Sequence, residues 1–397
     1  MYKMVVYGPS DEIFIWWGHA ALIMENTRWN YSRVYDWGVF TYPSEDFLTD
    51  FLKDEVRYKC EYGYLNLGLY VEEDRDITIY TLNLDRRGKE TILAYAENNV
   101  LPENCYYDYH EFRDNCSTRI RDIIDMGTAG QFRAAHENAA GRMSRRDHVR
   151  RFIWSKPFSD WFLGFLMGQD LDEEITKWEE MFLPVEIARN ITDFTYIDES
   201  GRERRLVESV QISNSSKNRA PILNKPFETW LFALIPGLAI AAIFIFLGFR
   251  SRNFLPVSRF FLGLCQSILG LVLGASGCVL FFGYFIMNND YIQQNINILF
   301  INPLLIIVFP LGIMSAINRP RHFSRKITPA KCLCFIWTYV FFTCCVSMLL
   351  WLLPFFHQQN QSVLAIITPV AFSLSVIPEK IREIVVINSK VNPNGIY

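Results

Sequence analysis

From Phe227 onward the chain consists largely of apolar runs, at roughly 227–249, 258–287, 298–317, 333–356 and 362–378, separated by short loops. A helix needs about 20 apolar residues to cross a bilayer, so the first four runs have the length and the last, broken by Pro369, is marginal. Backbone in hydrocarbon must satisfy its own hydrogen bonds, which makes helices of these runs. The residues before Pro226 are of another kind: polar, rich in aromatics and charged throughout. The expected organisation is therefore a soluble domain at 1–212, a short polar linker at 213–226, a transmembrane domain of about five spans at 227–380 and a tail at 381–397.

The loop between the first two runs carries Arg250, Arg252 and Arg259, and the loop after the third carries Arg319, Arg321, Arg325, Lys326 and Lys331. Loops 288–297 and 357–361 have no Lys or Arg. By the positive-inside rule the arginine-bearing loops and the tail from Lys380 are cytoplasmic, which places the soluble domain on the outer face. An exported domain calls for an export signal, yet Met1–Gly8 runs straight into it. The expectation is a helix ahead of the recorded start rather than export driven by the first span. The net charge of -3 offers no basic excess, so nucleic acid is excluded as a partner.

Three of the nine cysteines, Cys60, Cys105 and Cys116, lie in the soluble part. An odd number leaves at least one thiol unpaired even in an oxidising compartment, and a Cys60–Cys105 bridge would spare Cys116. Their spacing fits no metal site, and neither a metal nor another cofactor is expected.

The stretch Asp114-Asn115-Cys116-Ser117-Thr118-Arg119-Ile120-Arg121-Asp122 reads as the start of a helix. Asp114 or Asn115 is the N-cap, Ile120, Ile123 and Ile124 form the apolar stripe and Gly127 is the stop. Cys116 then lies on the first turn, where the helix dipole and nearby Arg119 and Arg121 favour thiolate over thiol, and where backbone amides can hold an oxyanion. A buried, inert cysteine is the competing reading, and a nucleophile needs a base.

Ile13 to Met24 reads as a strand through Trp16-Trp17-Gly18-His19-Ala20-Ala21-Leu22, turning at Glu25-Asn26-Thr27 into a second strand at 32–40 that carries Tyr35-Asp36-Trp37-Gly38. Period-two alternation puts Val34, Asp36 and Gly38 on one register beside His19, whose small neighbours Gly18, Ala20 and Ala21 leave room for another element. A strand follows at 77–82 and a helix at about 86–99. Tyr106–Tyr109 then runs extended into the Cys116 helix. Strands and helices in this order make an α+β domain.

Gly18-His19-Ala20-Ala21-Leu22, Tyr35-Asp36-Trp37-Gly38 and Asp114–Asp122 together resemble the N-terminal periplasmic domain of the Lnb-type bacterial lipoprotein N-acyltransferases. Trp178-Glu179-Glu180-Met181-Phe182-Leu183-Pro184 is similar to that domain's closing motif, so the likeness covers most of residues 1–190. The resemblance implies a circularly permuted papain-like (NlpC- and lecithin:retinol acyltransferase-like) fold, in which a histidine on an early strand precedes an Asn-Cys pair on a helix. It implies a multi-pass protein of the bacterial cytoplasmic (inner) membrane with its catalytic domain on the periplasmic face. A membrane phospholipid would donate an acyl chain, through a Cys116 thioester, to the amino-terminal cysteine of a diacylglyceryl apolipoprotein.

In that scheme Cys116 is the nucleophile, His19 the base and Asp36 the orienter of the imidazole. Asn115, Tyr35, Arg119, Arg121 and Trp17 are the candidates for substrate contact. For the arginines, pairing with Asp114 and Asp122 is the competing account. Two alternatives of other kinds stand beside it: a tethered papain-like peptidase or amidase acting on cell-wall peptides, and a non-enzymatic membrane assembly factor. The basic run Arg142, Arg145, Arg146, Arg150 and Arg151 reads as a solvated helix face or a lipid-phosphate contact with Trp154 at headgroup depth. Trp161–Met167 reads as membrane-facing or core.

Overall fold

The computed structural model describes residues 1–26, 31–39, 57–252, 256–285, 287, 291–317, 328–353 and 355–391. The expected turn at Thr27, most of the basic loop 319–331 and the last six residues of the tail lie outside them. The chain divides into two units, Met1–Ser155 with Glu173–Phe227, and Lys156–Asp172 with Glu228–Tyr397.

The first unit is built on a seven-stranded sheet in the order β6-β4-β3-β2-β1-β5-β9, every neighbouring pair antiparallel. The strands are β1 (Tyr2–Tyr7), β2 (His19–Asn26), β3 (Tyr31–Val39), β4 (Arg57–Gly63), β5 (Ile77–Leu82), β6 (Tyr106–Asp108) and β9 (Val207–Asn214). A separate hairpin joins β7 (Thr195–Ile197) to β8 (Glu203–Arg205). The helices of this unit are α1 (Leu67–Glu72), α2 (Arg86–Asn99), α3 (Cys116–Gly127), α4 (Gln131–His136) and α5 (Arg145–Ile153), then, beyond one helix of the second unit, α6 (Pro157–Leu166), the short α7 (Lys177–Glu180) and α8 (Pro184–Thr192).

Both faces of the central strands are covered, so their residues alternate between two cores rather than between core and water. Met4, Val6, Ala20, Leu22, Tyr35 and Trp37 pack with Ile92 of α2, Ile120, Ile123 and Ile124 of α3, and Ile187 and Ile191 of α8. Val5, Tyr7, Ala21, Ile23 and Val34 face the other way, towards Leu67 and Tyr70 of α1. Each fully buried isoleucine on α3 contributes on the order of 1.5–3 kcal/mol, which fixes the helix that carries Cys116 against β2 and β3.

The strand expected from Ile13 starts later. Ile13–Ile15 forms a 3-10 turn, and Gly18 at φ +87° redirects the chain into His19, the first residue of β2. A side chain at Gly18 would also lie 2.7 Å from the Tyr7 carbonyl, so only glycine fits this corner.

The basic run is neither a solvated face nor a lipid contact. Arg142 and Arg151 reach Glu186 at 3.0 and 2.7 Å, Arg145 reaches Glu179 at 2.8 Å, and Arg146, His148 and Glu180 are buried with them. Arg150 donates to the Phe227 carbonyl and Trp154 to that of Pro221. Segment 213–226, expected as a linker, is thereby held to the first unit. Cys60, Cys105 and Cys116 are all unbridged, and Cys60 N–H donates to the Cys105 carbonyl across β4 and β6.

In the second unit the long helices are α9 (Trp230–Arg252), α10 (Pro256–Phe285), α11 (Val308–Ile317), α12 (Pro329–Leu350) and α13 (Gln361–Val391). Four segments of the described residues are long and apolar enough to cross a membrane: Trp230–Ser251, Pro256–Phe285, Ile296–Ile317 and Pro329–Leu350. The third begins as two 3-10 segments, Ile296–Leu299 and Pro303–Ile307, before α11. The fifth run appears as the shorter apolar stretch Gln361–Val376 of α13.

The expected boundary at 212 misses the placement of α6. Phe165 packs with Phe300, Leu305, Trp337 and Val363, and the carbonyls at the end of α6 are taken by side-chain amides from loops of the second unit. Asn295 donates to Phe165 and Leu166, Asn297 to Phe165 and Gln358 to Met167, all at 2.8–3.0 Å. These amides satisfy the acceptors that a helix C-terminus leaves open.

Glu186→Gln tests the ion network of the first unit. Removing the one carboxylate shared by Arg142 and Arg151 strands buried positive charge, and the expected loss is about 3–5 kcal/mol. Thermal unfolding of the purified full chain, followed by limited proteolysis of the first unit, reads this as a lowered midpoint.

Candidate active site

Asn115 is the N-cap of α3, and its side chain is fully committed. Oδ1 accepts from the Ser117 and Thr118 amides at 2.8 and 2.9 Å, and Nδ2 donates to the carbonyls of Glu111 and Phe182 at 2.6 and 3.1 Å. Thr118 Oγ1 returns the favour by accepting from Asn115 N–H at 2.8 Å, which completes a capping box. The Arg119 amide bonds to the Asn115 carbonyl. Among the described residues, the amide of Cys116 itself is the first-turn donor left without a partner.

The bond from Asn115 to Phe182 ties the nucleophile helix to the segment Trp178–Pro184. A second tie comes from Arg121, which donates to the Trp178 carbonyl at 3.0 Å and lies 4.1 Å over the Trp178 ring. The closing motif read in the sequence is thus a brace for α3.

His19 and Asp36 meet as the period-two register of β2 and β3 requires. His19 Nε2 lies 3.0 Å from each carboxylate oxygen of Asp36, whose Oδ1 also accepts from Gly38 N–H at 2.7 Å. With Nε2 committed, Nδ1 is the nitrogen left for Cys116, which is within hydrogen-bonding reach of the imidazole. The ladder between β2 and β3 runs from Asn26 back to Leu22 and stops there, so Ala20 N–H is available to the Cys116 sulfur and donates to it.

Burial alone would push the Cys116 thiol up and the His19 imidazole down. The opposite charges override it. The His19 charge and hydrogen bond, with the Ala20 amide, bring Cys116 below the usual thiol range. Asp36 and Cys116 hold His19 well above the usual imidazole range, while burial opposes and His19 overcomes a rise at Asp36, whose carboxyl ends below its usual value. Both shifts run towards a thiolate–imidazolium pair with a carboxylate behind it. Such an arrangement supplies a nucleophile, a proton carrier and an orienting group for acyl transfer.

The remaining expected site residues go elsewhere. Tyr35 is buried on the opposite face of β3 from Asp36 and donates to Glu97 at 2.6 Å. Arg119 forms a two-pronged pair with Asp114 at 2.5 and 2.6 Å, and Arg121 bonds to Asp122 at 2.9 Å. Trp17 donates to the Val149 carbonyl at 3.3 Å. Two residues that the sequence offered only for their smallness or register take part directly. A side chain at Gly38 would come within 2.5 Å of His19 Cε1, so the imidazole occupies the space this glycine leaves. Ala20 contributes its amide, which no side-chain pattern reveals.

Tyr58, Tyr107 and Tyr109 surround this end of the sheet, with Tyr58 stacked on Tyr109 at 3.9 Å. Burial raises all three hydroxyls above the phenol range, and negative charge at Cys116 adds to the rise in each. A cavity of about 460 Å³ elsewhere in the unit, lined by residues such as Thr78, Tyr80 and Val185, contains none of His19, Asp36 and Cys116.

Residues 3–152 match the family model described as the Lnb N-terminal periplasmic domain. The first unit carries an Lnb domain. The match includes His19, Asp36 and Cys116 and ends before the Trp178–Pro184 brace. No curated protein and no solved structure matches the chain. Together with the apolar helices, the Lnb domain makes this a membrane protein with a periplasmic domain.

The charge pair of the Lnb domain has a window. Thiolate is lost as pH falls through the depressed Cys116 value, and imidazolium is lost as pH rises through the elevated His19 value. Iodoacetamide labelling of Cys116 should therefore persist below pH 8.5, about where an ordinary thiol titrates. His19→Ala removes the counter-charge and leaves burial to raise the thiol, so labelling at pH 7 is expected to slow at least about tenfold. Gly38→Ala should shift the labelling profile in the same direction with the fold retained, as read by rate against pH and circular dichroism.

Proposed function

We propose that the protein is a thiol acyltransferase that moves an acyl chain from a membrane phospholipid to the α-amino group of the lipidated N-terminal cysteine of an apolipoprotein. The observation that carries the reading is the meeting of His19, held by Asp36, with Cys116 at the start of α3, in an Lnb domain on a chain with helices long and apolar enough to cross a membrane.

In the first step the Cys116 thiolate attacks the ester carbonyl carbon of the phospholipid, forming a C–S bond. The Cys116 amide, left unpaired by the Asn115 cap, is a donor for the oxyanion. The C–O bond then breaks, His19 gives its proton to the departing alkoxide, and lysophospholipid leaves an acyl thioester on Cys116. In the second step the amine nitrogen attacks the thioester carbonyl. The C–S bond breaks, Cys116 leaves as thiolate, and the amine proton passes to His19. Asp36 keeps the imidazole in one orientation through both proton transfers.

The same three residues suit amide hydrolysis, and the test separates the readings. Intact mass measurement of the purified chain after exposure to phospholipid vesicles is expected to show an acyl adduct on Cys116, with lysophospholipid released in equal amount. Adding a diacylglyceryl peptide with a free amino terminus should discharge it. Cys116→Ser and His19→Ala should each lower lysophospholipid release by at least 10²-fold, within the usual range for a nucleophile and its base. Release of peptide fragments without lysophospholipid would mark a peptidase, and unimpaired cellular function of both variants would mark a non-enzymatic role.

A further inference from the structure

The second unit contains a cavity of about 680 Å³ bounded by α9, α12 and α13, a size within the ~300–1,000 Å³ of small-molecule sites. Its lining is almost wholly apolar. At one end stand Trp230, Trp351 and Gln361, which are at the N-terminus of α9, just past α12 and at the N-terminus of α13. At the other end Phe341 and Phe372 meet with ring centroids 5.2 Å apart and close the floor.

The three helix ends at the mouth lie on the side away from the Arg- and Lys-bearing loops, so the mouth is at the outer face. Phe372 follows Gln361 by eleven residues along α13, which at ~1.5 Å per residue places the floor about 16 Å deeper. That is close to half of the ~30 Å hydrocarbon thickness. The cavity is therefore one leaflet deep. Tryptophan is enriched at headgroup level, and the two at the mouth mark where a chain would enter. Below them α9 is held against α13 at Gly237, where a side chain would strike the Ala365 carbonyl at 2.5 Å, so the space opens over the first turns of α9 and narrows beneath.

Two of the walls, α9 and α12, are long and apolar enough to cross a membrane and the third is the apolar stretch Gln361–Val376, so the medium around the cavity is acyl chain rather than water. We propose that this groove binds one acyl chain of a phospholipid from the outer leaflet, headgroup at Trp230, Trp351 and Gln361 and chain end against Phe341 and Phe372. The site stands independently of the chemistry at Cys116, because it rests on the cavity and its depth alone.

The test uses the full chain carrying Cys116→Ala, in vesicles of phosphatidylglycerol and phosphatidylethanolamine with a trace of phospholipid bearing a diazirine near the end of one chain. After illumination, labelled peptides are mapped by mass spectrometry. Labelling is expected to concentrate on the peptides holding Phe341 and Phe372, and Met348→Trp, which fills the groove from α12, should lower it at least fivefold. Labelling at the exposed Val272 face of α10 should not change, which reports an intact fold; if it does change, Thr368→Phe fills the groove from α13 and is read in the same way. Even labelling over all lipid-facing helix surfaces, or groove labelling that survives the filling substitutions, overturns the proposal. Since Cys116→Ala carries no thioester, neither result depends on acyl transfer.

Discussion

A half-buried sulfur holds negative charge best beside a positive partner, and that requirement organises the first unit. Cys116 has His19 and the Ala20 amide; His19 in turn has Asp36, and Asp36 has the Gly38 amide. Each link belongs to a different place in the chain, so the charge pair exists only if β2, β3 and the start of α3 meet in one register. The two-sided burial of the sheet enforces this, because a one-residue slip of β2 would exchange its two cores.

The helix that presents Cys116 is fixed by what its neighbours consume. Asn115 spends both ends of its amide on backbone, and Arg119 and Arg121 are taken by Asp114, Asp122 and Trp178. None of these side chains is left to grip a substrate. Near the sulfur stand the hydroxyls of Tyr58, Tyr107 and Tyr109, with Glu111 beside Tyr58 and Tyr109.

Much of this was legible in the residues. The helix at Cys116–Gly127, the strand at Ile77–Leu82, the helix at Arg86–Asn99 and the neighbouring placement of His19 and Asp36 follow from caps, periodicity and alternation. The misreadings have physical sources. Arginines 142–151 looked like a surface face because their partners, Glu179, Glu180 and Glu186, are some thirty to forty residues away and pairing at that range leaves no local pattern. Tyr35 looked available beside Asp36, yet both faces of β3 are interior and Tyr35 is buried on the face away from the site. Apolar Trp161–Met167 gave no clue to which of two cores it served.

The position of α6 bears on how the protein is made. Its C-terminal carbonyls find their donors at Asn295, Asn297 and Gln358, 130 to 191 residues downstream. When α6 leaves the ribosome those donors have not been synthesised, and residues 173–227 of the other unit are still to come. Neither unit can finish before the other has begun. A fragment cut at the apparent end of the exported part would carry a greasy helix with nothing to close it, so separating the two halves cleanly means excising Lys156–Asp172 as well as everything beyond Phe227.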